Sequence, residues 1–276
     1  MRSLKDKVVL ITGGSRGIGL EIARAFARQG SRIALAARGE VELEKARTDL
    51  EESRADVVAI PADVGDLDSL RRLVAEVERS LGPIDVLINN AGIESIAHYE
   101  LSAFEDIERT FRVNVTGTML LTRLVVPGMI ERASGHVVNI ASNAGMLAVP
   151  FNTTYAASKH AVVGFSRSLR AELAARGVGV SVICPGFVEG ERIQHNFEGK
   201  PPPKQAGTVT PAAVAKATID AVMNDRGEVI VNKGLGKVSD WAQAMAPEFT
   251  AKMFKRLGVF DLFREAADAN AKRLKD

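Results

Sequence analysis

The chain has 276 residues, and 46% of them are apolar, which is enough for one large hydrophobic core. Its 36 Lys and Arg nearly balance its 34 Asp and Glu, for a formal net charge of +2. This balance argues against a nucleic-acid-binding protein, which needs a clustered excess of positive charge. The single cysteine, Cys184, cannot form a disulfide within the chain, as is typical of proteins in a reducing compartment.

The sequence has no pattern that predicts a secretory leader or a transmembrane segment. Residues 1–7 run into an apolar strand pattern without a signal-peptide core. The longest apolar stretch, residues 113–130, contains Asn114 and Arg123 and fits a buried helix better than a membrane span. The histidines have no metal-ligand spacing, so we expect no metal site. We therefore expect a soluble, cytoplasmic protein.

Seven short apolar runs alternate with longer segments of helical period. Each run is almost entirely apolar, as expected for a parallel sheet covered by helices on both faces. The predicted strands are Val8–Ile11, Ile33–Ala36, Val57–Ile60, Val86–Ile88, Val137–Ile140, Val180–Ile183 and Val229–Val231. Strands that alternate with helices through right-handed crossovers form a doubly wound α/β fold. We therefore predict a mainly parallel, seven-stranded, Rossmann-like sheet.

Two segments between the strands carry helix-start signals. Ser102-Ala103-Phe104-Glu105 has the pattern of a capping box, and Thr210 precedes a proline at a predicted first helical position. We therefore expect the hydroxyl groups of Ser102 and Thr210 to cap helices.

A glycine-rich loop follows the first predicted strand and opens a helix. Its sequence is Thr12-Gly13-Gly14-Ser15-Arg16-Gly17-Ile18-Gly19. Gly13, Gly17 and Gly19 would allow a tight turn, close approach of the backbone to a diphosphate, and close packing of helix on strand. The amides at the helix N-terminus would bind the anion. Because the loop joins a strand to a helix, we favour a nucleotide-binding loop over a purely structural turn.

The end of the second strand indicates which dinucleotide binds. A site selective for NAD needs a carboxylate here for the ribose 2′-hydroxyl, but the sequence has Ala37 followed by Arg38. Arg16 lies in the glycine loop, near the same ribose. Two guanidinium groups and no acid suit the 2′-phosphate of NADP(H). We therefore expect NADP(H), with NAD the less favoured cofactor.

Further motifs follow in an order that resembles the compact, single-domain branch of the short-chain dehydrogenase/reductase family. They are Asn89-Asn90-Ala91-Gly92, Asn114, Ser142, Tyr155-Ala156-Ala157-Ser158-Lys159 and Pro185-Gly186. The resemblance covers about residues 5–232. It implies a Rossmann-type domain, NAD(P)-dependent hydride transfer between a carbonyl and a secondary alcohol, and a Ser–Tyr–Lys site with an assisting asparagine.

The resemblance also implies roles for individual residues. The catalytic residues would be Asn114, Ser142, Tyr155 and Lys159, with Asn114 ordering a proton-relay water. The cofactor-binding residues would be Gly13, Ser15, Arg16, Gly17, Ile18, Gly19, Arg38, Asp63, Val64, Asn90, Ala91, Gly92, Tyr155, Lys159, Pro185, Gly186 and Val188. Asp63 would contact adenine, although a helix-capping role fits its position almost as well. Gly190 stands where many members carry a threonine that holds the nicotinamide carboxamide, so backbone groups near Val188 would take that role.

The tyrosine and lysine of the implied site also make chemical sense by themselves. Tyr155 and Lys159 are four residues apart on a predicted helix and so share one face. A phenol ionises near pH 10, and a nearby ammonium favours its ionised form. The pair therefore suits a general acid/base, whereas chance spacing on a surface helix is the alternative. Ser142, after the fifth strand, could hold the substrate oxygen.

Two late segments would shape the substrate site. Residues 187–208, which we call the substrate loop, follow a strand end and contain a Pro-Pro-Pro run that cannot be helical throughout. We expect a lid, with Gly190, Gly199 and Gly207 as pivots. Its apolar lining would favour a bulky hydrophobic substrate. The expected substrate-binding residues are Ser142, Tyr155, Phe187, Ile193 and Phe197, with Val188 also in the lining.

The remaining residues, 235–276, form the C-terminal tail, an amphipathic helical pattern broken at Gly258. We treat residues 1–234 as an NADP-binding catalytic domain and the tail as a helical extension of it. The tail, from Val238 to Phe263, would pack near the substrate loop or at a subunit interface of a dimer or tetramer, or merely complete the core. Alternatives for the whole chain are a non-catalytic NADP-binding sensor or scaffold and an enzyme anchored to a membrane by its aromatic tail.

Overall fold

The protein is described here by a computed structural model at residues 1, 3–52, 55–204, 206–233 and 246–273. Seven strands lie within this part of the chain: β1 (Val8–Thr12), β2 (Arg32–Ala37), β3 (Val57–Pro61), β4 (Val86–Asn89), β5 (Gly135–Ile140), β6 (Val178–Pro185) and β7 (Glu228–Val231). They form one sheet in the order β3-β2-β1-β4-β5-β6-β7, and every neighbouring pair is parallel. The predicted strands and the doubly wound α/β fold are therefore confirmed.

The helices connect successive strands and continue beyond the last one. They are α1 (Gly17–Ala27), α2 (Glu40–Glu52), α3 (Leu67–Leu81), α4 (Phe104–Phe111), α5 (Thr118–Glu131), α6 (Thr153–Leu173), α7 (Glu191–Asn196), α8 (Pro211–Met223), α9 (Pro247–Arg256) and α10 (Val259–Arg273). The break between the last two falls at Gly258, which has a φ of +75°. A left-handed residue ends a helix, so the predicted break is confirmed.

One of the two predicted helix caps is present. The Thr210 hydroxyl accepts a hydrogen bond from the Ala213 amide at the start of α8, as predicted. The capping box at Ser102 is wrong, because Ala103 occupies the cap position of α4 and no side chain caps it. A short 3₁₀ turn immediately precedes Ser102, and its hydroxyl donates back to the His98 carbonyl oxygen instead.

Two apolar layers cover the sheet, one on each face. On one face, α1, α2 and α8 pack side chains such as Phe26, Leu43 and Val214 against the strands. On the other face, α3 and α5 contribute Leu73 and Leu121, among others. Burial on both faces explains why the strands are apolar throughout, since neither face meets water.

The helix that crosses the second face is continuous from Phe104 to Glu131 and includes a π-helical segment, Arg112–Gly117, between α4 and α5. By length and composition it could cross a membrane, but 44% of its most apolar 18-residue window is buried within the protein. A core helix packed on a sheet passes the same test, so this is weak evidence for a membrane span.

Two histidines that had no predicted partner have one in the structure. His136, at the start of β5, is buried, and its Nε2 lies 2.8 Å from the Ser181 hydroxyl on β6. The Nδ1 of His160 lies 2.9 Å from the Ala156 carbonyl oxygen, one helical turn earlier. The first contact joins residues 45 positions apart, so it depends on the fold, whereas the second is local to one helix.

Candidate active site

A cavity of about 1130 Å³ opens along the carboxyl edge of the sheet, where the strand order reverses between β1 and β4. Ligands of open α/β sheets bind at such a switch point. All the predicted site residues line this cavity except Gly19 and Asn114. Both exceptions are buried immediately behind its wall.

The glycine loop has the geometry of a diphosphate cradle. Gly13 and Gly17 adopt φ values of +64° and +56°, which disfavour any residue with a Cβ. A Cβ on Gly19 would lie 2.1 Å from the carbonyl oxygen of Gly13, so this glycine serves close packing within the loop. No side chain caps the first turn of α1, and a Cβ on Gly17 would meet open space. The residues present therefore fit an anionic dinucleotide, whose diphosphate would accept hydrogen bonds from the amides of this turn.

Asn90 and Thr12 join this loop to the end of β4. The Thr12 hydroxyl accepts hydrogen bonds from the amides of Asn90 and Ala91, at 3.0 and 3.1 Å. The Asn90 side chain donates to the carbonyl oxygens of Thr12 and Gly13, at 2.9 and 3.1 Å. Asn90 therefore holds the cradle in shape as well as lining the cavity, and Thr12 is a supporting residue that sequence reasoning missed.

The exposed side chains of Arg16 and Arg38 line the end of the cavity that borders the carboxyl end of β2. They bring two cations to the region where a ribose phosphate would lie. Glu42, in the first turn of α2, also lines the cavity close to Gly39. Sequence reasoning missed this carboxylate because it looked only at the strand end.

Asp63 lies in the loop after β3 and lines the cavity, but it does not cap a helix. Its Oδ1 accepts a hydrogen bond of 2.8 Å from the Gly65 amide, whereas Asp66 caps α3 by accepting from the Ser69 amide. The capping alternative for Asp63 is therefore wrong.

Tyr155 and Lys159 lie in successive turns of α6, and both are almost fully buried. The Lys159 ammonium nitrogen is 5.6 Å from the centre of the Tyr155 ring. It also donates a hydrogen bond of 2.9 Å to the Ile140 carbonyl oxygen at the end of β5. The positive charge is therefore held next to the phenol by the sheet itself.

Ser142 and Asn114 approach the same pair from two other elements. Ser142 follows β5, and its hydroxyl accepts a hydrogen bond of 3.1 Å from the Ala144 amide. Asn114 lies in the π-helical segment, and its side chain exchanges hydrogen bonds of 2.8 and 2.9 Å with the backbone of Ile93. It also donates to the Ser158 hydroxyl. Its amide thus braces the loop after β4, and its relay role stays a prediction.

The other half of the cavity is apolar, and the substrate loop and tail build it together. Phe187, Phe197 and Phe263 form an aromatic cluster with ring centres 5.2 to 6.1 Å apart. Ion pairs of 2.7 and 2.8 Å, Lys200–Glu265 and Arg273–Glu198, join the same two segments. The described part of the tail therefore packs on the substrate loop, one of the predicted arrangements. Val238 and the rest of residues 234–245 lie outside the described residues.

Comparison with known proteins places the chain in a family. The family model for short chain dehydrogenases matches residues 7–201. The chain belongs to the short-chain dehydrogenase/reductase family. The ketoacyl reductase HetN of a Nostoc species is 38% identical, over 99% of this chain and 96% of that protein. A putative ketoacyl reductase of Streptomyces coelicolor is 40% identical, over 68% of this chain and 73% of that protein.

Solved structures of the family have the same fold. A variant of actinorhodin polyketide ketoreductase with NADPH has a TM-score of 0.79 at 32% identity, covering 86% of this chain and 99% of that one. A short-chain dehydrogenase/reductase from Burkholderia phymatum in complex with NAD has a TM-score of 0.80 at 27% identity, covering 90% and 96%. The chain is therefore an oxidoreductase with a Rossmann-type site for a nicotinamide cofactor.

This short-chain dehydrogenase/reductase also has a polar group in its cavity that sequence reasoning missed. Glu94, two residues after the Asn-Asn-Ala-Gly motif, accepts hydrogen bonds from the side-chain amides of Asn152 and Asn196. All three residues line the cavity. The only signals in the sequence were the proximity of Glu94 to that motif and of Asn152 to Tyr155, and neither predicts the contact.

Proposed function

We propose that this protein is an NADP(H)-dependent oxidoreductase that interconverts a carbonyl and a secondary alcohol, with Tyr155 as general acid/base. The observation that carries the proposal is the placement of the buried Tyr155–Lys159 pair in the same cavity as the glycine cradle. Hydride transfer and proton transfer must occur on one bound carbonyl, so both sites have to share a cavity.

The cofactor half of the cavity has a residue for each part of a dinucleotide. The cradle amides at Ser15, Gly17 and Ile18 suit the diphosphate. The lining residues Asp63 and Val64 suit the adenine end. Ala91, Gly92, Pro185, Gly186 and Val188 suit the nicotinamide end, close to Tyr155. A bound nicotinamide cofactor supplies or accepts the hydride.

The protein's own contribution to the chemistry is a proton at the substrate oxygen. In the reducing direction, the Tyr155 hydroxyl donates its proton to the carbonyl oxygen as that oxygen gains negative charge. In the oxidising direction, the phenolate accepts the alcohol proton. The Lys159 ammonium stabilises the phenolate left by the first step, and the Ser142 hydroxyl orients the oxygen by hydrogen bonding.

The preference for NADP(H) rests on Arg16 and Arg38, which line the cavity beside the end of β2. A 2′-phosphate would form charge-assisted hydrogen bonds with guanidinium groups, whereas a 2′-hydroxyl gains less from them. The position at the end of β2 where a carboxylate would select NAD is Ala37, and the nearby carboxylate of Glu42 comes from α2 instead. Since one solved relative carries NADPH and another carries NAD, the fold alone leaves this choice to local residues.

We further propose a bulky, largely hydrophobic carbonyl substrate. The substrate half is lined by Phe187, Ile193, Phe197 and Phe263, with Phe260 beside them. A large apolar substrate gains binding free energy by burying its surface against such walls, whereas a small polar ketone gains little. Two relatives are named as a ketoacyl reductase and a putative ketoacyl reductase, which supports ketoacyl compounds as a starting point for the search.

The experiment is a screen for NADPH oxidation with ketones, diketones, steroids, sugars and acyl thioesters, with identification of the alcohol product. We expect an alcohol product from at least one bulky carbonyl compound. The competing function is a non-catalytic NADP sensor or scaffold on the same fold. Such a protein would bind the cofactor and form no product. Retention of Ser142, Tyr155 and Lys159 in one cavity favours the enzyme.

Three expectations about the whole protein accompany this proposal. We propose a homodimer or homotetramer, which size-exclusion chromatography with light scattering would test. We propose a cytoplasmic location, supported by the single buried cysteine, Cys184. We also retain residues 1–234 as the catalytic domain and residues 235–276 as its extension, which limited proteolysis would test.

A further inference from the structure

Glu94 lies in the substrate half of the cavity, where it connects the catalytic helix to the substrate loop. Its Oε1 accepts a hydrogen bond of 2.5 Å from Asn152, the residue that precedes α6. Its Oε2 accepts one of 2.8 Å from Asn196, the last residue of α7 in the substrate loop. The carboxylate is thus held from two sides. One of its two partners, Asn152, lies three residues before Tyr155.

The carboxylate of Glu94 retains unused hydrogen-bonding capacity. An ionised carboxylate offers about four acceptor positions, and the two amides occupy two of them. Both partners are neutral amides, and among the side chains that the structure describes, a set that excludes Arg192, no Lys, Arg or His lies within 4.0 Å of the carboxylate. A half-buried negative charge with neutral partners gains free energy from any further donor that reaches it.

Asn152 has an unused acceptor at the same place. Donation to Glu94 fixes the orientation of its amide, because a flipped amide would turn its oxygen towards the carboxylate. Its Oδ1 is buried and has no hydrogen-bond partner among the described residues. The residue itself is 1% exposed and lines the cavity. The Oδ1 of Asn152 and the remaining positions on the Glu94 carboxylate are therefore two kinds of acceptor at this side of the cavity.

The surroundings make this polar group conspicuous. The same cavity is lined by apolar side chains from the substrate loop, the tail and the segment before α6, among them Val149, Phe187, Ile193, Phe197 and Phe263. In such a pocket, the few polar groups fix the orientation and the selectivity of the ligand. A carboxylate also disfavours a substrate that carries a negative charge nearby.

We propose that Glu94 determines substrate specificity by accepting a hydrogen bond from a donor group, a hydroxyl or an ammonium, on the hydrophobic carbonyl substrate. The inference rests on the proposed function, since it takes the cavity to be the substrate site. Asn152 positions the carboxylate. Asn196 couples the binding of a ligand at Glu94 to the position of the substrate loop. A carbonyl compound with a carboxylate at the same place is rejected.

The alternative role for Glu94 is to latch the substrate loop through Asn196 without touching the substrate. The two roles differ in what a substitution changes. Loss of a latch weakens all ligands alike, because the loop closes less well over each of them. Loss of a recognition group weakens only ligands with a donor, and it relieves the repulsion of an anionic ligand.

The test is calorimetric binding of four matched ketones to the protein saturated with oxidised cofactor, a complex in which the ketone cannot be reduced. The probes are acetophenones with a para methyl, hydroxyl, aminomethyl or carboxylate group. For the wild type we expect the hydroxyl or the aminomethyl probe to bind about tenfold more tightly than the methyl probe, as for one hydrogen bond to a charged group. The carboxylate probe binds most weakly, and the better of the two donors identifies the kind of group.

Two variants separate recognition from general effects. Glu94→Gln removes the charge with little change of shape, and the donor preference falls to within about twofold while the carboxylate probe binds more tightly. The control is Glu172→Gln, which removes the same charge from an exposed residue of α6 that lies outside the cavity. This control keeps the donor preference of the wild type.

Equal affinity of wild type for the methyl and both donor probes would overturn the inference, as would an equal loss for all four probes in Glu94→Gln. The proposed function is tested separately, by incubating the same four ketones with reduced cofactor. Donor-selective binding without any reduction would contradict the proposed function and leave the recognition by Glu94 standing. Reduction of the ketones without donor-selective binding would support the proposed function and contradict the recognition by Glu94.

Discussion

The Lys159 ammonium donates a hydrogen bond of 2.9 Å to the carbonyl oxygen of Ile140, the last residue of β5. This contact fixes the charge before any ligand binds, since both residues belong to rigid elements of the core. Lys159 is only 4% exposed, so its ammonium is held inside the protein. The sheet therefore sets the electrostatic environment of Tyr155, and the cofactor adds to it.

Replacing Lys159 by Met, which keeps the length of the side chain and removes the charge, should lower turnover by about a hundredfold or more. The pH–rate profile should also shift upwards, because the phenolate loses its stabilising charge. Steady-state kinetics from pH 6 to 10 measure both effects. The control Lys216→Met removes an exposed lysine of α8 and should leave the profile in place. An unshifted profile in Lys159→Met would contradict the role of the ammonium.

Arg38→Asp should reverse the preference between NADPH and NADH. The change removes a cation that suits the 2′-phosphate and adds the carboxylate that binds a 2′-hydroxyl. A shift of about tenfold or more in the ratio of dissociation constants is expected, as for loss of one charge-assisted hydrogen bond. Fluorescence titration with both cofactors measures it. Arg72→Asp, an equal charge change on the exposed side of α3, should keep the wild-type ratio. Wild-type protein that binds NADH as well as NADPH would refute the assignment.

His136 should make the protein sensitive to mild acid. The pKa of His136 is lowered from its usual 6.5 to about 4, mainly by burial; Asp225 opposes this shift, and the positive charges of the N-terminus and Arg170 add to it. Between these two pH values the unfolded chain binds a proton that the native state does not. The free energy of unfolding should therefore be constant above pH 6.5 with respect to this group and fall by about 3 kcal/mol towards pH 4.

Urea unfolding at several pH values measures this dependence. His136→Gln retains an amide for Ser181 but cannot titrate, so its unfolding free energy should fall less steeply over the same range. His160→Gln, which replaces an exposed histidine, should follow the wild type. Parallel curves for wild type and His136→Gln would show that another group causes the acid sensitivity.

Phe263 should control access for large substrates. Its ring joins the tail to Phe187 and Phe197, so Phe263→Ala opens a gap in the wall of the cavity. We expect KM to rise about tenfold for a bulky ketone and little for a small one, since a lost ring costs mainly apolar contact. The control is Phe249→Ala, whose ring is 64% exposed and outside the cavity. Equal changes in KM for both ketones would argue against a role of the tail in shaping the pocket.

The sequence is sufficient to predict the fold and the family, and it predicts which residues line the cavity, for physical reasons. Each strand is apolar on both faces, so its pattern does not depend on distant partners. The cradle and the Tyr155–Lys159 pair are local motifs, and local spacing predicts them. The cap at Ser102 failed because a neighbouring turn redirected its hydroxyl.

The polar part of the substrate site could not be predicted in this way. Glu94 meets Asn152 and Asn196, which are 58 and 102 residues further along the chain. Such contacts arise only when the substrate loop packs on the tail and the catalytic helix. No periodicity or spacing links the three residues, so they emerge only from the folded chain.

Comparing deuteride transfer by wild type and Tyr155→Phe tests the assignment of Tyr155 as the acid/base most directly. Wild type is incubated with NADPH deuterated at the transferring position and the best bulky ketone from the screen, and deuterium is measured at the carbinol carbon. We predict full incorporation by wild type and a loss of rate of at least about a hundredfold in Tyr155→Phe, with NADPH affinity largely unchanged. Equal rates of incorporation by the two proteins would contradict the assignment of Tyr155 as the acid/base.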